Sequence, residues 1–125
     1  MSHVSLQSVI LGQQPADLVL RGGQILSTTR RELREGSLAI VDGLIAGVHE
    51  DPEPVIGQDT RVIDADGKIV APGLIDAHTH LDLHQTVDRS YPRSLEGGTT
   101  TMVSEVAAFG PAFGADGVET FLDAT

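Results

Sequence analysis

Two short apolar runs, Ser37-Leu38-Ala39-Ile40-Val41 and Leu44-Ile45-Ala46-Gly47-Val48, are separated only by Asp42-Gly43. A two-residue link between β-forming runs predicts a tight antiparallel hairpin, because its favoured turn holds both central residues at positive φ, which Asp and Gly tolerate. Similar punctuation recurs on either side. Asp17-Leu18-Val19-Leu20 is closed by Gly22-Gly23, read as a turn, and is followed by Gln24-Ile25-Leu26. Arg61-Val62-Ile63-Asp64-Ala65 and Lys68-Ile69-Val70 flank a further turn at Asp66-Gly67. Residues 50–60 carry Pro52, Pro54 and Gly57 and read as a loop. Residues 17–70 are therefore expected to form a small β-rich module, preceded by a loosely ordered lead-in over residues 1–16.

The pattern changes at Ala71-Pro72-Gly73. Leu74-Ile75-Asp76-Ala77-His78-Thr79-His80 opens apolar and ends polar, as a strand leading to a site does. Residues 83–97 contain Tyr91-Pro92 and predict a short helix with a broken start. Thr99-Thr100-Thr101-Met102-Val103-Ser104 is a β-branched strand. A glycine-rich loop is expected from Gly110 to Gly117. A helix follows over Val118–Ala124, with Val118, Phe121 and Leu122 on one face. Strand, helix, strand, helix is the repeat of an α/β barrel. Residues 71–125 thus read as the first two units of a (β/α)8 barrel, which typically takes ~250 residues. The fold class expected is α/β: a β-rich module joined to the start of a TIM barrel.

Composition narrows the function classes. Hydrophobic residues make up 40% and aromatics 3%, so the core must come from Val, Ile, Leu and Ala. With no cysteine, disulfides, a Cys-ligated zinc and a thiol nucleophile are excluded for these 125 residues. Met1 to Gln14 lacks the basic start and apolar stretch of a signal peptide, and no apolar run approaches the ~20 residues of a membrane helix. A cytoplasmic protein without a membrane partner is expected. A net charge of −10 argues against nucleic-acid phosphates as partners. Arg30-Arg31 and Arg34 alternate with Glu32 and Glu35 and read as a solvated face.

Chemistry concentrates at His78-Thr79-His80. In a strand, residues two apart project to the same side, so both imidazoles face together while Thr79 points away. Two imidazoles on one face suit a divalent ion. They also fall at the C-terminal end of the strand, where barrel enzymes place their chemistry. Asp76 shares that face and could orient a ligand. Glu105, just past the second strand, could reach the metal or substrate. His84 is read as a loop histidine that could line the pocket. His3 and His49 carry no functional expectation.

The run Val70-Ala71-Pro72-Gly73-Leu74-Ile75-Asp76-Ala77-His78-Thr79-His80 resembles the first barrel strand of the amidohydrolase superfamily. Upstream, Asp17-Leu18-Val19-Leu20-Arg21-Gly22-Gly23 and Asp42-Gly43-Leu44-Ile45 resemble the start of its flanking β-sandwich. The resemblance implies a centre of one or two divalent ions (zinc, manganese or iron), of which His78 and His80 are ligands. It implies further ligands beyond this chain: a bridging lysine or glutamate, two histidines and a late aspartate that shuttles the proton of a metal-activated water. No catalytic residue is then expected within residues 1–125, and this segment alone is expected to be inactive. A small-molecule substrate and a homo-oligomer are expected of the complete protein.

Gly97-Gly98-Thr99-Thr100-Thr101-Met102-Val103-Ser104, followed by Gly114-Ala115-Asp116-Gly117-Val118-Glu119-Thr120-Phe121-Leu122, is similar to the adenine deaminases of the superfamily. That resemblance implies conversion of adenine and water to hypoxanthine and ammonia. Two loops depart from the adenine deaminase pattern. Ser104-Glu105-Val106-Ala107 stands where Asp-Pro-His-Glu is usual, and Asp82-Leu83-His84-Gln85 where Glu-Ser-Ser is usual. The Gly-Thr-Thr strand is shared with dihydroorotases, hydantoinases and D-aminoacylases, so hydrolysis of a cyclic amide or an N-acyl amino acid is the alternative reading. A non-catalytic truncated or binding module is the third.

Overall fold

The longest strand, β1 (Leu18–Ser27), organises the first half of the chain. In the computed structural model, which describes residues 5–83 and 87–123, the chain divides into two compact units, Met1–Pro72 and Gly73–Thr125. In the first unit β1 pairs antiparallel with β2 (Glu32–Val41), and β2 pairs antiparallel with β3 (Leu44–His49). On its other edge β1 takes two parallel partners end to end, β4 (Arg61–Asp64) and β5 (Ile69–Val70). The result is a five-stranded mixed sheet.

The β2–β3 hairpin forms as the Asp-Gly signal predicts. Asp42 and Gly43 sit at φ 50° and 73°, and Val41 pairs with Leu44 across the two-residue turn. The Asp17 carboxylate accepts a 2.7 Å hydrogen bond from the Asp42 amide. Gly22-Gly23, expected to be a turn, is instead a bulge inside β1, where the register with β2 shifts between Leu20 and Gly23. Gly22 supplies the bulge's positive φ, 72°, and Gly23 is required by lateral crowding. A Cβ on Gly23 would stand 2.9 Å from Val70 Cγ2 and 3.1 Å from Ala65 Cβ. The Asp66-Gly67 turn sits between β4 and β5, so it acts as a jog along one edge of β1 rather than a hairpin.

Val9, Ala16, Val19, Ala39, Val41, Ala46 and Val55 form the core of this unit. Residues 1–16, expected to be a loose lead-in, supply part of it. Helix α1 (Leu6–Ile10) is capped by Ser5, whose hydroxyl accepts from the Ser8 amide at 3.2 Å, and Val9 is fully buried. Five residues are too few for a periodicity to show in sequence, so only packing against the sheet makes this helix worthwhile. The opposite face of the sheet is also apolar. Leu18, Ile40 and Ile45 lie in register on it, as do Leu20, Leu38 and Val48, and Ile45 is 66% exposed. A sheet apolar on both faces needs a second layer over its exposed side.

The second unit is a β–α–β–α chain. Strand β6 (Leu74–Thr79) pairs parallel with β7 (Thr99–Ser104) through a connection containing α2 (Val87–Glu96). Helix α3 (Phe109–Asp123) follows β7. The expected loop from Gly110 to Gly117 is largely helical. Glycine there allows close packing: a Cβ on Gly117 would be 2.6 Å from the Phe109 carbonyl oxygen and from Phe113 Cβ. Gly114, at φ 65°, kinks the helix between its two halves. Phe109 stacks against both Phe113 and Phe121, with centroids 6.0 and 5.7 Å away. Among the described residues, no helix is long and apolar enough to cross a membrane.

Candidate metal centre

Strand β6 delivers His78 near its C-terminal end, and His80 follows immediately after it. The period-two geometry of the strand turns both rings to one side, and their Nε2 atoms come within 3.1 Å, with the rings edge-on. His78 is exposed and His80 half-buried. His80 Nδ1 is buried without a hydrogen-bond partner among the described residues, which leaves Nε2 as the ring's outward donor atom.

Parallel pairing of β6 with β7 brings Ser104 opposite Thr79, so Glu105 emerges beside the histidines. The Glu105 amide donates to the Thr79 carbonyl at 3.0 Å. Its carboxylate approaches His78 Nδ1 at 3.7 Å. Among the described residues, His78, His80 and Glu105 form one cluster, with a ligand atom from each lying within 4.8 Å of the others. Asp76 takes a local role: its carboxylate accepts from the His78 amide at 3.2 Å, steadying the backbone from which His78 projects. His84 lies outside the described residues.

The geometry suits a cation. Two nitrogens bonded at about 2.05 Å to a tetrahedral ion stand about 3.3 Å apart, close to the 3.1 Å between the facing Nε2 atoms. A histidine that ligates through Nε2 presents its Nδ1–H to a second group, commonly a carboxylate. Glu105 is the carboxylate placed on that side of His78.

Asp82 is the residue the sequence reading passed over. It lies in a short 3-10 turn, Leu81–Leu83, only 9% exposed, and Oδ2 accepts from the amides of Ala108 at 2.6 Å and Phe109 at 3.2 Å. Burial pushes this carboxyl up, but the amides of Ala108, Phe109 and Ala107 outweigh it and hold the group below the usual carboxylate range. Its partners are 26 and 27 residues away in sequence, so no local spacing announces it.

Residues 61–121 match the amidohydrolase family. This chain belongs to the amidohydrolase superfamily. Over 124 residues it is 38% identical to the adenine deaminase of Paracoccus denitrificans (strain Pd 1222), covering 98% of this chain and 21% of that protein. The chain therefore spans about a fifth of the length of such curated relatives. A D-aminoacylase variant solved with copper chloride is 33% identical, with a TM-score of 0.62 over 73% of this chain and 19% of its own. The N-acyl-D-glutamate deacylase of Bordetella bronchiseptica, solved with zinc and a phosphonate inhibitor, is 36% identical, with a TM-score of 0.57 over 72% of this chain and 18% of its own. These amidohydrolase relatives are hydrolases of carbon–nitrogen bonds, and both structures were solved with a divalent metal.

Proposed function

We propose that this chain is the metal-binding start of an adenine deaminase-like hydrolase, which converts adenine and water to hypoxanthine and ammonia. The observation that carries the reading is the pair of facing Nε2 atoms, 3.1 Å apart at the end of β6, in a chain 38% identical to an adenine deaminase. In this reading residues 17–70 are a β-sandwich module, and residues 71–125 begin a (β/α)8 barrel whose later strands close the site.

His78 and His80 hold one divalent ion through Nε2, with zinc, manganese or iron as candidates and a second ion possible only with further ligands. When bound, the ion supplies an acidified water as the nucleophile for hydrolytic deamination. This chain's residues do the holding. Glu105, 3.7 Å from His78 Nδ1, is the carboxylate placed to face that side of the ring and bias its orientation. Asp76 fixes the backbone beneath that ring. None of them acts on the substrate directly, and the segment alone is inactive, because two imidazoles fall short of the three protein ligands a catalytic metal site uses.

The test is ammonia release from adenine by the purified, metal-loaded protein that carries this chain, followed by the ultraviolet change from adenine to hypoxanthine. Turnover supports the reading. No turnover of adenine, with acetate released from N-acetyl-D-amino acids, would replace it by the second reading. That reading is favoured by the structural similarity to D-aminoacylase and N-acyl-D-glutamate deacylase.

A further inference from the structure

The hydrogen bonds around the histidine pair join two loops that are distant in sequence. On one side lie Thr79, Leu81 and Asp82, which bracket His80. On the other lie Ser104, Ala108 and Phe109, which bracket Glu105. The Thr79 carbonyl accepts from the Glu105 amide at 3.0 Å, and the Leu81 amide donates to Ser104 Oγ at 3.3 Å. Both of these bonds lie close to the strand ends. Beyond them, the loops are joined by Asp82, whose Oδ2 accepts from the amides of Ala108 and Phe109 at the start of α3. A carboxylate that accepts two amides at a helix start fixes both its own loop and the helix.

We infer that Asp82 is a positioning residue for the metal centre: by tying the His80 loop to the start of α3, it holds Glu105 against His78. The inference rests on the proposed metal role of His78 and His80. Asp82 lies outside the ligand cluster itself, so its influence on the metal runs through the segment between Ser104 and Ala108. Without the clamp, that segment loses the Ala108 and Phe109 amide bonds that tie it to the His80 loop, and Glu105 gains freedom to swing away from His78 Nδ1. Loss of a carboxylate that orients a ligating histidine costs about 10- to 100-fold in metal affinity.

The experiment is titration of the full chain with cobalt(II) chloride, read by visible absorption, for the unaltered protein, Asp82→Ala, Glu105→Gln and the double variant. Asp82→Ala is expected to weaken cobalt about 10-fold or more and to give the same altered band shape as Glu105→Gln. The double variant should bind no more weakly than either single one, because both remove the same support. Asp82→Asn keeps an acceptor oxygen and should restore nearly the unaltered affinity and spectrum, whereas a general loss of folding would not saturate at the Glu105→Gln level. Circular dichroism of each variant monitors the fold; should Asp82→Ala unfold, folded Asp82→Asn still decides, since a large loss of cobalt affinity there overturns the inference. Unchanged binding by Asp82→Ala, or additive losses in the double variant, would also overturn it while leaving the metal reading intact. Failure of the unaltered chain to bind cobalt would overturn both.

Discussion

The same substitution, Gly to Ala, should have opposite effects at two positions of α3. At Gly117 an added Cβ would lie 2.6 Å from the Phe109 carbonyl oxygen and 2.6 Å from Phe113 Cβ. Ordinary carbon–carbon contact begins at about 3.5 Å, so the methyl group falls about 0.9 Å short. Neither obstacle is the end of a flexible side chain, so the two halves of the kinked helix must separate. Overpacking of this kind costs about 1–3 kcal/mol. The gain in helix propensity, about 1 kcal/mol, offsets only part of it. With a backbone atom as one obstacle the upper part of that range, about 2–3 kcal/mol, applies, leaving a net loss of about 1–2 kcal/mol, or a fall in Tm of about 4–8 °C per kcal/mol in a small domain. At Gly110 the nearest atom to an added Cβ is Val118 Cγ2 at 3.7 Å, an ordinary contact. Gly110→Ala should therefore be neutral or stabilising by up to about 0.5 kcal/mol. Thermal unfolding followed at 222 nm compares the two. A Gly117→Ala protein as stable as the parent would refute the close packing of Phe109 and Phe113 on Gly117.

Three further outcomes are expected. Val9→Ala removes two buried carbons from the first unit's core and should cost about 2–3 kcal/mol in urea unfolding; a loss below about 0.5 kcal/mol would mean that α1 does not pack as described. The Asp82 carboxyl is held below its ordinary value of 3.8 in the folded chain. Its contribution to stability is thus fully present above that value and drains away as pH falls through the lower folded value. Asp82→Asn should flatten that acid limb, and an unchanged acid-unfolding curve would contradict the amide clamp. Gly43→Val places a β-branched residue at φ 73° and should cost about 1–2 kcal/mol; an unchanged urea midpoint would argue against the tight β2–β3 turn.

What the sequence showed depended on how local the cause was. The β2–β3 turn was legible because both of its backbone requirements fall on the two adjacent residues Asp42 and Gly43. The shared face of His78 and His80 was legible because it follows from strand periodicity alone. Gly22-Gly23 was misread as a turn because Gly22 does take a turn-like φ of 72°, while the pressure on Gly23 comes from Val70 and Ala65, more than forty residues further on. Helix α1 was missed because five residues show no period, and its stability comes from burying Val9 against β-strands. The start of α3 was placed too late because its glycines look like loop residues until Gly117 is seen to admit Phe109 and Phe113. Asp82 was invisible as a clamp for the same reason: its amide partners lie across the parallel connection, in a loop that only tertiary structure brings near. Glu105 was within reach of sequence reasoning, which placed it at the end of the second strand, but its side-by-side position with His78 needed the register of β6 on β7.

Zinc binding by the full chain tests the central claim most directly. Equilibrium dialysis against buffered zinc should show one ion retained by the unaltered protein and lost in both His78→Ala and His80→Ala, with His49→Ala, in the other unit, binding as before. Equal zinc retention by the unaltered protein and the His78→Ala and His80→Ala variants would contradict the assignment of this pair as the metal's ligands.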